Sequence, residues 1–265
     1  MATIILANAF DPKAVTFSAL EKNKKGGKVI FIGLPDANGQ RQRITLQTPA
    51  LALPFGVSPY TEASTGEVQS YSLDVSYRGA DANPKIAEFL AKMRELDDVL
   101  LDVAVENSKE WFGKKMSKEI LSEFYRKLVK DSATPGQYPP VTKFKVCIHT
   151  HVTHAFGLHI THCPPARVVQ VQLQDGMPTA KFFDEKRQQC GIEYLSKGST
   201  VRCIVELDRI WFVNKNFGVT WRVSQAAVAT RPQRMDDFAF QADGDDDDDM
   251  VTDAAATTAA MVEEM

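Results

Sequence analysis

Cysteine is scarce in this chain, and its four cysteines show no pairing pattern. Cys147, Cys163, Cys190 and Cys203 form no CxxC unit and no dense cluster of the kind that cross-links small secreted domains. The first residues carry no positively charged segment ahead of a long apolar run, so no secretory signal is expected. We therefore expect the protein to work in a reducing, intracellular compartment.

Long apolar runs and catalytic signatures are also missing. The longest apolar stretch, residues 51–57, is interrupted by Pro54 and falls short of the roughly 20 residues that a membrane-spanning helix needs. The sequence contains no phosphate-binding GxxxxGK(S/T), no GxSxG and no HExxH motif. Asp97, Asp98 and Asp208 stand apart from other reactive residues and are interpreted as surface charges. We expect a protein that is not an enzyme.

Charge is distributed unevenly along the chain. Eleven of the 34 acidic residues fall within residues 236–265, which hold no lysine or arginine. The net charge of −3 therefore combines a body of +8, residues 1–235, with a tail of −11. Like charges repel and the tail has little apolar surface to bury, so residues 236–265 are predicted to be disordered. We expect one folded domain over residues 1–235, whose first 69 residues match no motif.

Hydrophobic periodicity predicts a mainly β protein with two helices inserted in the middle of the chain. Residues 71–77 alternate apolar and polar side chains, which is typical of a strand with one buried face. Asn83 and Pro84 predict the start of one helix, and Ser117 predicts a second that reaches Val129. A small, partly open barrel fits this pattern, with a sandwich as the alternative. Further strands are predicted over residues 29–33, 44–53, 142–149, 167–173, 179–183, 200–213 and 217–229.

Aromatic and basic residues occur together in two segments, residues 107–117 and 209–222. Bases that stack on aromatic rings and lysines that neutralise phosphates are the physical basis of single-strand binding. The alternatives are that Trp111 anchors the core and that Trp211 and Trp221 form a buried cross-strand pair. The candidate DNA-binding residues are Lys109, Trp111, Phe112, Lys114, Lys115, Lys143, Lys145, Trp211, Phe212, Lys215, Phe217, Trp221 and Arg222.

All five histidines fall within residues 149–162. On a strand His149 and His151 point the same way, and His159 and Cys163 could face them across a turn. Nitrogen and sulfur ligands of this kind bind zinc in tetrahedral sites, but the spacing matches no strong zinc template. The alternatives are a surface hairpin with polar histidines and, less favoured, a zinc-dependent nucleic-acid enzyme.

The acidic tail is a candidate for binding partner proteins. A polyanion tethered to a basic body also competes with nucleic acid at high effective concentration. The alternatives are a tail that only keeps the protein soluble, a packaging protein that binds duplex DNA, and an acidic chaperone of basic proteins. The tail residues proposed for partner binding are Asp245, Asp246, Asp247, Asp248, Asp249, Glu263 and Glu264.

The order of these motifs resembles the single-stranded DNA-binding proteins of nucleo-cytoplasmic large DNA viruses, which are similar to the replicative ones of small-tailed phages. The resemblance covers about residues 70–230 and is carried by residues 107–117, the Tyr138-Pro-Pro turn and residues 210–222. It implies an OB-fold core and non-catalytic binding of single-stranded DNA during viral DNA replication, recombination and repair. It further implies a homodimer, a replication site in the host nucleus or cytoplasm, and a tail that recruits DNA polymerase or helicase.

Overall fold

The computed structural model describes residues 3–22, 26–134, 136–147 and 179–232, and the statements below concern these ranges. Apart from Pro232 they belong to one compact unit, Met1–Arg231. The described part contains three α-helices: α1 (Pro84–Glu106), α2 (Ser108–Phe112) and α3 (Lys118–Phe124). None of these helices is long and apolar enough to cross a membrane.

Strands make up most of the regular structure in the described ranges. They are β1 (Ile4–Leu6), β2 (Thr16–Phe17), β3 (Glu21–Lys22), β4 (Lys28–Pro35), β5 (Arg41–Gln42), β6 (Ile44–Gln47), β7 (Leu51–Ala52), β8 (Val57–Thr61), β9 (Val68–Ser76), β10 (Tyr125–Arg126), β11 (Val129–Lys130), β12 (Val141–Cys147), β13 (Lys181–Phe183), β14 (Gln189–Cys190), β15 (Thr200–Leu207), β16 (Arg209–Val213), β17 (Asn216–Val219) and β18 (Arg222–Thr230).

Five strands close into a ring through their backbone pairings. β15 pairs with β7, β7 with β9, β9 with β12, β12 with β18, and β18 pairs back with β15. The β7–β9 link is a single pair, Ala52 with Ser76, and the β12–β18 link is a single parallel pair, Lys145 with Arg222. The ring is therefore a partly open, five-stranded barrel of the OB type. The predicted mainly β class with inserted helices is confirmed.

Alternation along the barrel strands separates a buried interior from an outer surface. Leu73 and Val75 of β9 and Phe144 and Val146 of β12 are fully buried. The intervening side chains, such as Lys145, point to the other side and are exposed. Burial of the apolar set stabilises the barrel, and the register that it imposes fixes which side chains reach the surface.

Helix α1 packs its apolar stripe on this core. Its Asn83 cap accepts a hydrogen bond from the Lys85 amide at 3.1 Å, and Pro84 occupies the first turn, as the sequence predicts. Phe89 and Met93 of the predicted stripe are fully buried.

The second predicted helix is wrong in its C-terminal half. Helix α3 follows Ser117 but ends at Phe124, and the chain continues into the short strands β10 and β11. The helix ends early because the buried carboxylate of Asp97 on α1 accepts hydrogen bonds from the backbone amides of Leu128 and Val129. Those amides therefore have no need of helical acceptors. Helix α2, which carries Trp111, was not predicted.

A hairpin of β16 and β17 forms a second sheet beside the barrel. The hairpin turns at Asn214 and Lys215, and Asn214 takes the left-handed conformation, φ 55°, that such turns require. β16 pairs with β4, and β17 pairs in parallel with β10. The two long strands predicted here are each broken, because the chain leaves the barrel at Asp208 and returns to it at Arg222.

Candidate nucleic-acid interface

A basic groove of about 390 Å³ lies on the outer surface of the barrel. Among its lining residues five are cationic, two are tyrosines and none is acidic. Phosphate groups and stacked bases require this combination of charges and rings. The groove, called the basic groove below, is lined by Tyr60, Ser70, Tyr71, Ser72, Arg126, Lys127, Leu128, Lys130, Lys143, Lys145, Val219 and Thr220.

The barrel strands supply one wall of the basic groove. Lys143 and Lys145 point outward from β12 because their neighbours in β12 face the core. Tyr60 projects from β8, opposite Ser70 of β9, with 64% of its surface exposed. Tyr71 also lines the groove, but it is half-buried, lies opposite Val146 in the ladder and packs against the core. The exposed Tyr60 ring can offer a face to a base.

The opposite wall comes from the segment that contains β10 and β11. This segment contributes three exposed cations, Arg126, Lys127 and Lys130. Within the described residues these three and Lys145 make no ion pair, whereas Lys143 binds Asp74 at 3.0 Å. Four of the five cations are therefore unpaired and available to an anionic ligand.

Asp97 of α1 makes hydrogen bonds to the backbone of this wall. Its Oδ1 accepts the Tyr125 hydroxyl at 2.6 Å and the Leu128 amide at 2.9 Å, and its Oδ2 accepts the Val129 amide at 3.2 Å. Asp97 is 6% exposed, so its interpretation as a surface charge is wrong. Burial raises the pKa of Asp97, and these hydrogen bonds oppose that rise. Burial, together with the adjacent carboxylate, raises the pKa of Tyr125.

A second groove of about 530 Å³, the aromatic groove, lies at the hairpin and helix α2. The Phe112 ring makes edge contacts with the Phe212 and Phe217 rings at centroid distances of 5.8 and 5.2 Å. Phe212 and Phe217 stack at 6.1 Å. Only Phe112 and Phe212 of these three are partly exposed. The groove is lined by Gly27, Lys28, Trp111, Phe112, Lys114, Met116, Phe124, Phe212, Asn214 and Lys215.

Three of the rings proposed to stack on DNA are buried. Trp111 is 3% exposed, Phe217 1% and Trp221 0%. No ring face of these residues is open to a base, so their direct stacking role is corrected to one of support. Trp111 anchors the core and receives at its carbonyl oxygen a 2.5 Å hydrogen bond from the Lys28 ammonium. Trp221 makes an edge contact with Phe10.

Trp211 differs from the other two tryptophans because it is only half-buried. It lies opposite Gly218 in the hairpin rather than against Trp221, so the proposed cross-strand tryptophan pair is absent. A Cβ at Gly218 would lie 3.1 Å from the Trp211 ring, a tight contact that glycine avoids. The Trp211 Nε1 donates to the Thr220 hydroxyl at 3.0 Å, and Thr220 lines the basic groove.

Arg222 forms an ion pair with a partly buried carboxylate, that of Asp208. Its Nη2 lies 2.7 Å from Oδ2 of Asp208, which also binds Arg209 at 2.9 Å and lies 4.0 Å from Arg43. Because Asp208 neutralises it, the proposed phosphate contact of Arg222 is corrected to a structural ion pair. The interpretation of Asp208 as an isolated surface charge is also wrong.

The remaining predicted lysines are all exposed. Lys114 and Lys215 border the aromatic groove, whereas Lys109 and Lys115 line neither groove. Sequence reasoning missed the other groove residues because the groove is assembled from five separate chain segments, and no local motif marks them. The missed residues are Tyr60, Tyr71, Arg126, Lys127 and Lys130.

The two grooves draw residues from one chain segment, since Phe124 lines the aromatic groove and Arg126 lines the basic groove. Trp211 and Phe212, adjacent on β16, point to opposite faces of the hairpin.

The proposed metal site and the proposed partner-binding tail both fall outside the described residues. His149, His151, His159 and Cys163 lie in the undescribed range 148–178, and the acidic residues of the tail follow residue 232. Among the residues that are described, no group of three or more His, Cys, Asp or Glu side chains could hold a metal ion. The zinc site and the tail functions stay predictions.

Comparison with known proteins gives one family and a set of solved structures. The family model described as "Family of unknown function (DUF5871)" matches residues 73–147 and 167–242, more than half of the chain. No curated protein matches. The chain is similar to gp2.5, a single-stranded DNA-binding protein encoded by bacteriophage T7, at 11% identity and a TM-score of 0.44, over 75% of this chain and 98% of that one.

A second solved structure is the single-stranded DNA-binding protein from bacteriophage Enc34 in complex with single-stranded DNA. The similarity has 10% identity and a TM-score of 0.36, over 82% of this chain and 97% of that one. Both likenesses are distant. An affiliation with large DNA viruses stays a prediction.

The Asp208 ion pairs should make stability depend on acidic pH. Burial alone would raise the pKa of Asp208, but the hydrogen bond from Arg209 and the charges of Arg222, Arg209 and Arg43 lower it below its ordinary value of 3.8. Because the pKa of Asp208 is lower in the folded state, its ion pairs contribute stability that is fully present above the ordinary value of 3.8. This stability is lost as the pH falls through the folded-state pKa.

We expect Asp208→Asn to lower the free energy of unfolding by about 3 kcal/mol at pH 7. The difference from the wild type should narrow as the pH falls below 3.8, because Asn does not titrate. Denaturant unfolding across pH measures this, with Asp98→Asn on the exposed side of α1 as the control. A difference that stays constant into the acid range would contradict this role of Asp208.

Proposed function

Because the chain belongs to the family of unknown function DUF5871, whose description names no activity, we propose its function from the basic groove: it binds single-stranded DNA without catalysis. The observation that carries the proposal is the presence of four unpaired cations and the exposed Tyr60 ring in one groove lined by no acidic residue. Neutralised phosphates supply most of the affinity of such a site.

The Tyr60 ring favours single strands over duplex. Stacking on Tyr60 requires a base whose face is open, and duplex bases are already stacked on their neighbours. The cations alone would accept either form, since both carry phosphates. Selectivity for unpaired strands is therefore assigned to the Tyr60 ring, and affinity mainly to the lysines and Arg126.

The aromatic groove extends the binding surface. Phe112 and Phe212 are half-buried, and the exposed Lys114 and Lys215 flank them. We therefore propose that Phe112, Phe212, Lys114 and Lys215 keep a role in DNA binding. The buried Trp111 and Phe217 rings pack against Phe112 and Phe212 and fix their positions. In a DNA strand that crosses from one groove to the other, bases would stack first on tyrosine and then on phenylalanine.

In the cell, we propose that the protein coats exposed strands during viral DNA replication, recombination and repair, at the site of replication. The acidic tail would compete with DNA for the basic groove and, once displaced, recruit a replication protein such as a polymerase or helicase. About 13 residues separate Pro232 from the aspartate run, which can span about 45 Å when extended. That reach exceeds the length of β18, about 30 Å.

Titration with oligo-dT tests the central proposal. Four unpaired cations predict that the logarithm of affinity falls with the logarithm of salt concentration with a slope of about −2.8, or about −3.5 if Lys143 leaves Asp74. Tryptophan fluorescence should report binding, because Trp211 lies beside the groove. Duplex of equal length is the control, and equal affinity for duplex would favour the packaging-protein alternative.

Replacing Tyr60 tests the stacking role. Tyr60→Ala should weaken oligo-dT binding by about 1–3 kcal/mol and leave the salt slope unchanged, because a ring is lost and no charge. Tyr138→Ala is a matched control, since Tyr138 is 63% exposed and lines neither groove. Equal effects of the two substitutions would remove Tyr60 from the binding surface.

Deleting residues 236–265 tests the competing tail. The deletion should tighten oligo-dT binding at low salt, and the gain should vanish at high salt, because screening weakens a charge-based competitor. A full-length variant with Asp245 to Asp249 changed to Asn should give part of the gain. Unchanged or weaker binding by the truncated protein at low salt would rule out competition.

A further inference from the structure

Asp97 is a buried carboxylate that lies outside both grooves. It is one of the few charged residues in the interior of the described part, and it makes no ion pair there. Its three hydrogen bonds all go to the segment between Tyr125 and Val129. Burial of a carboxylate costs free energy, and hydrogen bonds to its oxygens partly offset that cost.

The segment above Asp97 has little regular structure to hold it. β10 and β11 are two residues long, and Lys127 and Leu128 between them belong to no strand. β10 pairs with β17 at one end and β11 with β12 at the other. Asp97 accepts the amide of Leu128, which neither ladder reaches, and that of Val129 at the start of β11, so it fixes the path of the backbone between the two ladders.

We propose that Asp97 is a positioning residue for strand binding: its carboxylate fixes the backbone of Tyr125–Val129 so that Arg126, Lys127 and Lys130 face the basic groove together. The inference rests on the proposed function, because it concerns the cations of that groove. Asp97 touches no ligand itself. It acts through the backbone amides that its oxygens accept, and the Tyr125 hydroxyl orients the carboxylate.

Residue identity at this position matters because all three partners are donors. The carboxylate offers acceptors on both oxygens, as the three hydrogen bonds need. Asparagine has nearly the same shape but replaces one oxygen with an NH₂ group. One backbone amide would then face a donor, so Asp97→Asn should release part of the segment with little change in packing volume.

The first measurement needs no DNA. Hydrogen exchange of the full-length protein should show faster exchange at the Leu128 and Val129 amides in Asp97→Asn than in the wild type. Asp98→Asn is the matched control, since Asp98 is the exposed neighbour on the same helix. Unchanged exchange at both amides would overturn the proposal whatever the DNA result.

The second measurement is the salt dependence of oligo-dT binding. If Asp97→Asn releases the Tyr125–Val129 segment and two cations leave the basic groove, the slope should become shallower by about 1.4. Affinity near 0.1 M salt should then fall roughly 25-fold. A purely structural role would lower the unfolding midpoint but leave the slope of the folded protein as it is. An unchanged slope overturns the proposal.

Tyr125→Phe keeps the test decisive if Asp97→Asn fails to fold. It removes one donor to Asp97 and keeps the ring, so the slope should become shallower by about 0.7. An unchanged slope in this variant overturns the proposal. Failure of the proposed function looks different, because then the wild type itself would not bind oligo-dT.

Discussion

Phe144 and Val146 pack inside the barrel, and Lys145 between them can only point outward. This alternation is the constraint on which the rest of the structure depends. The apolar set holds β12 against β9 in a single register, and the same register presents Lys143 and Lys145 on the outer face, to which Tyr60 of β8 also projects. Stability and ligand binding are thereby coupled, because a one-residue slip would bury the lysines and expose the core.

Two aspartates, the buried Asp97 and the partly buried Asp208, position backbone beside the barrel, each in a different way. Asp208 is neutralised by arginines at the point where the hairpin leaves the barrel, so it fixes the base of the hairpin. Asp97 has only neutral donors and fixes a backbone segment. An aspartate that pairs with arginine removes that cation from the binding surface, as Asp208 does with Arg222. An aspartate that accepts backbone amides leaves the neighbouring cations Arg126 and Lys127 unpaired. The second arrangement is therefore better suited to a wall that must remain cationic.

Sequence patterns predicted the parts of this protein that are governed by local periodicity. The alternation of residues 71–77 and the Asn83–Pro84 helix start follow from rules that act over a few residues, and both are found in the structure. The end of α3 and the burial of Trp111 depend on contacts between distant segments. The basic groove could not be predicted for the same reason: Tyr60, Arg126 and Lys145 are far apart in the chain, and only closure of the barrel brings them together.

The residues that line the basic groove indicate whether it would discriminate between DNA base sequences. Discrimination between bases usually needs Asn, Gln, Asp or Glu side chains, or an arginine held rigidly against a base edge. The described lining contains none of those four residue types, and its neutral polar groups are serine, threonine and tyrosine hydroxyls, which can rotate to suit either a donor or an acceptor. Flexible lysines and ring faces accept any base. If the protein binds single-stranded DNA as proposed, a groove of this composition would recognise the unpaired state of a strand rather than its sequence.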